Sequence, residues 1–179
     1  MRVLNIHGYQ GSAENSAYIA LRRIECEIIS PQIDYDGEKP ETVLDQLSDL
    51  AEEKKAEFLV GTSLGGFFAA VLSADLHLPV ILVNPCMLPF LHLPRIGYQG
   101  DIAPFIRQFG KLALIDRETV SCIVGAEDEL IDSHDFDERL FGNSRFRIIA
   151  GGGHSGATLP LKEYFEFVLK DGNAERKEF

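Results

Sequence analysis

The sequence predicts one α/β domain over residues 1–170, built of about six mostly parallel strands with helices on both faces. Three observations lead there. Short, nearly continuous apolar runs alternate with helix-length segments, the pattern of a parallel sheet covered on both sides. Several of those runs end in glycine-containing turns, and right-handed crossovers would line such turns up along one sheet edge. A length of 179 residues, 45% apolar and 25% charged, suits a single globular domain with a sizeable core.

Taken in order, residues 3–7 are a short apolar strand, 15–23 a helix and 26–29 a second strand. Residues 40–55 form an amphipathic helix with Val43, Leu44, Leu47, Leu50 and Ala51 on one face. Residues 58–60 are the third strand. Residues 64–74 follow as a helix apolar all round, and therefore buried. Residues 79–84 are the fourth strand, ended by Pro85, and 120–125 the fifth. Residues 134–141 are a helix, 145–150 the sixth strand and 160–170 a closing helix with proline in its first turn. The tail, 171–179, is polar and expected to fray. One segment breaks the alternation. Residues 86–119 exceed a simple crossover, carry Pro89, Pro94 and Pro104, and hold a helix over 102–109. Two readings fit equally: a lid lining an apolar pocket, or a decorated crossover packed on the helix layer.

The formal charge of −11, from 17 basic and 28 acidic residues, argues against nucleic acid and anionic membrane surfaces as partners. No apolar run reaches the length of a membrane span. The chain enters a strand at once, so no signal peptide and a cytoplasmic location are expected. Cys26, Cys86 and Cys122 lie in or beside apolar runs and read as buried free thiols. No His-Glu-x-x-His or Cys-x-x-Cys occurs, so neither a metal nor another cofactor is expected. The Gly61–Gly66 turn lacks the Lys-Ser/Thr pair of a phosphate loop.

The chemistry sits in Gly61-Thr62-Ser63-Leu64-Gly65-Gly66, between an apolar strand and a buried helix. Strand, Gly-x-Ser-x-Gly and helix in that order make a nucleophile elbow. The turn is sharp and strained, and side chains at Gly61 and Gly65 would strike the neighbouring strand and helix. Two further turns supply partners in the order acid, then histidine. The fifth strand ends in Gly125-Ala126-Glu127-Asp128-Glu129, and the sixth in Gly151-Gly152-Gly153-His154. A serine hydroxyl needs a base, and the base needs an acid to fix its tautomer. His154 is the base. Glu127, Asp128, Glu129 and Asp132 in the same loop are the candidate acids, and the short side chain of Asp128 suits a fixed position.

These pieces, with His7-Gly8-Tyr9 and Val83-Asn84-Pro85, resemble the small bacterial α/β-hydrolases of the YqiA/YcfP-type esterase family. The matches span residues 3–154. The resemblance implies a compact α/β-hydrolase fold lacking the first two strands of larger relatives. It also implies esterase or thioesterase activity through Ser63, Asp128 and His154. Oxyanion donors are expected at the backbone N–H of Leu64, after the nucleophile, and of Tyr9, in the loop after the first strand. Gly8 lets that loop come close. His7 is expected to fix the loop, and His77, His92 and His134 to be surface or loop histidines. The expected substrate is a small-molecule ester or thioester of a small to medium acyl group. The alternatives are a non-catalytic protein binding a ligand or partner through the same pocket, and an acyltransferase using the same residues.

Overall fold

The computed structural model describes residues 1–131 and 133–175, with side chains through residue 169. The first half holds β1 (Arg2–Ile6), α1 (Ser16–Leu21), β2 (Glu27–Ile29), α2 (Pro40–Glu53), β3 (Phe58–Thr62), α3 (Leu64–Leu76) and β4 (Val80–Val83). The second half holds α4 (Pro89–His92), α5 (Ala103–Phe109), β5 (Val120–Gly125), α6 (Asp135–Phe141), β6 (Phe146–Ile149) and α7 (Leu161–Glu175). The six strands make one sheet in the order β2-β1-β3-β4-β5-β6, and every pairing is parallel. Among the described residues no helix is long and apolar enough to cross a membrane.

The inner strands are apolar because both of their faces are covered. Val80 and Leu82 of β4 join a core with α2, α3, α5 and α6, while Ile81 and Val83 join one with α1 and α7. The two-residue period of a strand sends neighbours to opposite faces, so neither set can be polar. α3 is buried on nearly every side, as its uniform apolarity requires. α7 runs five residues beyond its expected end, to Glu175, and residues 176–179 of the predicted polar tail lie outside the described residues.

The sheet grows outward in both directions from β1 and β3. The chain passes from β1 to β2 on one side, then returns to place β3 on the other. Turns leaving adjacent strands to opposite sides open a crevice at their carboxyl ends. The loops after β1 and β3 meet there.

Residues 86–119 divide between the two roles weighed for them. α5 packs on the helix layer: Phe105 meets Phe67 and Phe68 edge-on, with ring centroids 5.7 and 5.9 Å apart. Leu112 and Ile115 are buried behind it. Ahead of α5, His92 and the 3-10 turn Leu93–Ile96 reach the carboxyl edge of the sheet and line the pocket there.

Candidate active site

Ser63 joins β3 to α3 with φ 52° and ψ −121°, a conformation that costs a non-glycine residue of order 1–3 kcal/mol. Its backbone is held on both sides. Its N–H donates to Val83 O at 3.0 Å, and its carbonyl accepts from Gly66 N and Cys86 N, each at 2.9 Å. The glycines follow from crowding. A Cβ on Gly65 would meet the carbonyl oxygens of Ile6 and His7, and one on Gly61 would lie 2.6 Å from Ala69 Cβ.

The side chain of Ser63 meets His154. His154 Nε2 lies 3.0 Å from Ser63 Oγ, and Nδ1 lies 2.9 Å from Asp128 Oδ2 and 3.0 Å from Oδ1. A carboxylate only accepts, so Nδ1 carries a proton and Nε2 is left to receive one from the serine. Such a chain can turn a weak hydroxyl into a nucleophile.

Asp128 is buried, and its carboxylate is fully engaged. Oδ1 accepts from Leu130 N and Ile131 N, each at 2.9 Å, and Oδ2 lies 3.0 Å from His134 Nε2. Burial pushes the carboxyl up, but hydrogen bonds from His134, His154 and the Ile131 N–H outweigh it and hold Asp128 well below the usual carboxylate range. The competing acids stand elsewhere. Glu127 is exposed. Glu129 is exposed and accepts from the backbone N–H of His154 at 2.9 Å. Asp132 lies outside the described residues.

Two backbone N–H groups border the serine. Leu64 opens α3, where the first N–H groups have no intrahelical acceptor and the helix dipole favours negative charge. Tyr9 follows Gly8, whose backbone comes so near that an added Cβ would lie 2.9 Å from Ser63 Cβ. The Gly8–Gly11 turn is closed by Gly11 N donating to Gly8 O at 3.0 Å, with Gln10 at φ 56° as a type II turn requires. His7 fixes this loop. Its Nε2 accepts from Ile33 N at 2.9 Å, so its proton is on Nδ1, which donates to Gly8 O at 2.8 Å. Burial lowers its pKa and keeps it neutral.

Ser63, His154, Tyr9 and Leu64 share a narrow pocket. Its walls are Leu93, Ile96, Leu130, Ile131 and Cys86, with His92. Burial pushes the Cys86 thiol up to about 12, so it is an apolar wall. Cys122 is also buried, whereas Cys26 is half-buried rather than enclosed. Among the described residues no cluster of His, Cys, Asp and Glu is arranged to hold a metal ion.

His92 is half-buried and lines the pocket. One histidine expectation is corrected. His134 is buried at the start of α6, with Nδ1 2.5 Å from Asp137 Oδ2 and Nε2 on Asp128. Two carboxylates satisfy both of its ring nitrogens, and this is what permits its burial. His77 is exposed, as expected. Asn84 had no assigned role, yet it is fully buried at φ 42° and ties three strand ends together. Its Nδ2 donates to Gly153 O at 2.9 Å and His154 O at 2.8 Å, and its Oδ1 accepts from Gly125 N at 2.7 Å. An asparagine at a strand end tolerates positive φ, and that was the available signal.

Solved structures share this architecture across nearly the whole chain. An α/β hydrolase enzyme from the metagenome of sediments of the Mar Chica lagoon, Morocco, superposes with a TM-score of 0.66 at 16% identity, covering 99% of this chain and 92% of that one. An esterase from M. tuberculosis gives 0.65 at 15% identity, covering 96% and 85%. A thermophilic esterase from Thermogutta terrifontis gives 0.59 at 17% identity, covering 99% and 90%. At these identities the likeness is one of fold, and the fold is that of the α/β-hydrolases. The family follows from the sequence match over residues 2–159: the chain belongs to UPF0227, an uncharacterised protein family.

Proposed function

We propose that the protein is a serine hydrolase that cleaves carboxylic esters or thioesters of small to medium acyl groups. The observation that carries this reading is the hydrogen-bonded chain from Ser63 Oγ through His154 to Asp128, at 3.0 and 2.9 Å. His154 takes the serine proton as Oγ attacks the acyl carbon, then gives it to the leaving alcohol or thiol. Asp128 holds the tautomer and stabilises the imidazolium. The N–H groups of Tyr9 and Leu64 receive the developing oxyanion. Water then repeats the sequence and releases the acid. The apolar, narrow pocket supports a short acyl group.

The test is covalent labelling with a fluorophosphonate probe, read by intact mass, on wild type and Ser63→Ala. One adduct is expected on wild type and none on the variant. Ser63→Ala should also lose on the order of 10⁴ or more in ester turnover while remaining folded. Folded wild-type protein that takes no label would overturn the assignment in favour of ligand binding.

A further inference from the structure

Behind Asp128 stands a second imidazole and a second carboxylate. His134 Nε2 lies 3.0 Å from Asp128 Oδ2, and His134 Nδ1 lies 2.5 Å from Asp137 Oδ2. The His134 side chain is 4% exposed, and those of Asp128 and Asp137 are 0% and 4% exposed. Solvent therefore reaches none of the three well enough to replace these bonds. Both ring nitrogens face oxygens that can only accept, so both carry protons and the ring is an imidazolium. Burial opposes that charge, but the two carboxylates outweigh it and raise His134 to about 9. Among the described residues the other ionisable groups that face these carboxylates include His154, on Asp128 at 2.9 Å, and the Cys86 and Cys122 thiols, which burial keeps protonated.

We propose that His134 and Asp137 are positioning residues for the reaction at Ser63: their ion pair locks the Asp128 carboxylate and shares its negative charge. The inference rests on the hydrolase reading above for its kinetic consequence. Asp128 has two tasks that conflict. It must hold His154 in one tautomer, which asks for a strong acceptor. It must also leave His154 unprotonated at rest, which asks for a weak negative charge. A cation hydrogen-bonded to the same carboxylate meets both demands. The acceptor stays ionised and fixed, while its pull on a proton at His154 is reduced. The two backbone N–H bonds to Oδ1 leave Oδ2 for His134, so the carboxylate has one orientation.

The discriminating variant is His134→Gln, neutral at all pH and able to donate one hydrogen bond. The pH profile of kcat/KM is measured on p-nitrophenyl acetate from pH 5 to 9. Loss of the cation leaves the Asp128 charge unshared, so the acid limb should move to higher pH by on the order of one unit, with the upper plateau kept within a few-fold. At pH below both limbs this is about a ten-fold loss. A profile scaled down equally at every pH, or a limb moved to lower pH, would overturn the proposal. A reading independent of turnover comes from nitrogen-15 NMR of histidine-labelled protein. Wild-type His134 should show two protonated nitrogens at pH 7, and Asp137→Asn should lower the pH at which it loses one. A neutral His134 in wild type, or a midpoint unmoved by Asp137→Asn, sinks the idea even if His134→Gln fails to fold. Failure of the hydrolase reading would show separately, as wild-type protein that takes no fluorophosphonate.

Discussion

Replacing Asp128 with asparagine changes one atom and should disable the site through the tautomer of His154. Asp128 accepts from the N–H groups of Leu130 and Ile131 at Oδ1, and from His134 at Oδ2, with His154 Nδ1 close to both oxygens. The backbone donors cannot turn away, so the amide oxygen of asparagine must take the Oδ1 place. Its NH2 group then occupies the Oδ2 place, facing His134 Nε2 and His154 Nδ1. His154 Nδ1, 2.9 Å from the Oδ2 place against 3.0 Å from Oδ1, then meets a donor and is driven to accept. Its proton moves to Nε2, opposite Ser63 Oγ, where a base needs a lone pair. Loss of the correct tautomer in a triad lowers kcat by about 10⁴, or roughly 5 kcal/mol of barrier at 1.36 kcal/mol per decade. His134 also loses an acceptor, and stranding a buried donor costs about 1–3 kcal/mol in stability. The assay is steady-state hydrolysis of p-nitrophenyl butyrate, with urea unfolding to show that the variant is folded. Glu129→Gln is the control. Glu129 is exposed and only accepts the His154 backbone N–H at 2.9 Å, which a glutamine carbonyl also accepts. That variant should stay within a few-fold of wild type. If Glu129→Gln falls as far as Asp128→Asn, or Asp128→Asn keeps a tenth of the activity, the tautomer reasoning is wrong.

Asn84→Ala would leave the carbonyls of Gly153 and His154 and the N–H of Gly125 without their partner, inside the fold. A loss of at least about 3 kcal/mol in urea unfolding is expected, with a fall in kcat as the His154 loop loosens. An unchanged unfolding midpoint would rule out the clamp. Stability should also depend on pH through His134. Its folded value is about 9 against an ordinary 6.5, so its contribution is complete below pH 6.5 and disappears as pH rises through 9. The full shift corresponds to about 3 kcal/mol, from which burial of Asp137, pushed up in turn, takes a share. Unfolding free energy should fall from pH 6.5 to 9.5 more in wild type than in His134→Gln, the part common to both coming from the buried Cys86 and Cys122 thiols, which ionise only when unfolded; an equal fall in the two proteins would refute the charged state.

The fold was legible where burial acts on consecutive residues. β4 and β5 are covered on both faces, so their sequences are apolar runs, broken only by Ser121, that need no pairing information to find. The order of the strands is another matter. That β3 lies beside β1 and across it from β2 depends on which helices cover which face, and no local pattern carries that. The meeting of Ser63 and His154 could be expected because each sits in a glycine turn just after a strand. Residues 86–119 stayed ambiguous for a physical reason. Phe105 and Leu112 bury themselves against α3 while Leu93 and Ile96 line a pocket, and both tasks draw on the same apolar residue types.

His134 shows where sequence reasoning stops. In the sequence Asp128 reads as the acid of the site and His134 as a surface or loop histidine, while Asp137 stands out in no motif. The burial that changes their meaning is a property of the fold and not of the local sequence: His134 and Asp137 are both buried, while α6 itself packs on β5 and stacks Phe136 on Phe109 of α5. Once enclosed, the pair needs an explanation other than stability. A buried ion pair roughly breaks even against apolar groups of similar volume, because desolvating both charges cancels most of their attraction. The opposed shifts agree with this, His134 gaining from its partners while burial penalises Asp137. Apolar residues could fill the same space but could not donate to Asp128 Oδ2. What the pair adds, and a hydrophobic replacement would lack, is a fixed, charge-balanced carboxylate at the back of His154.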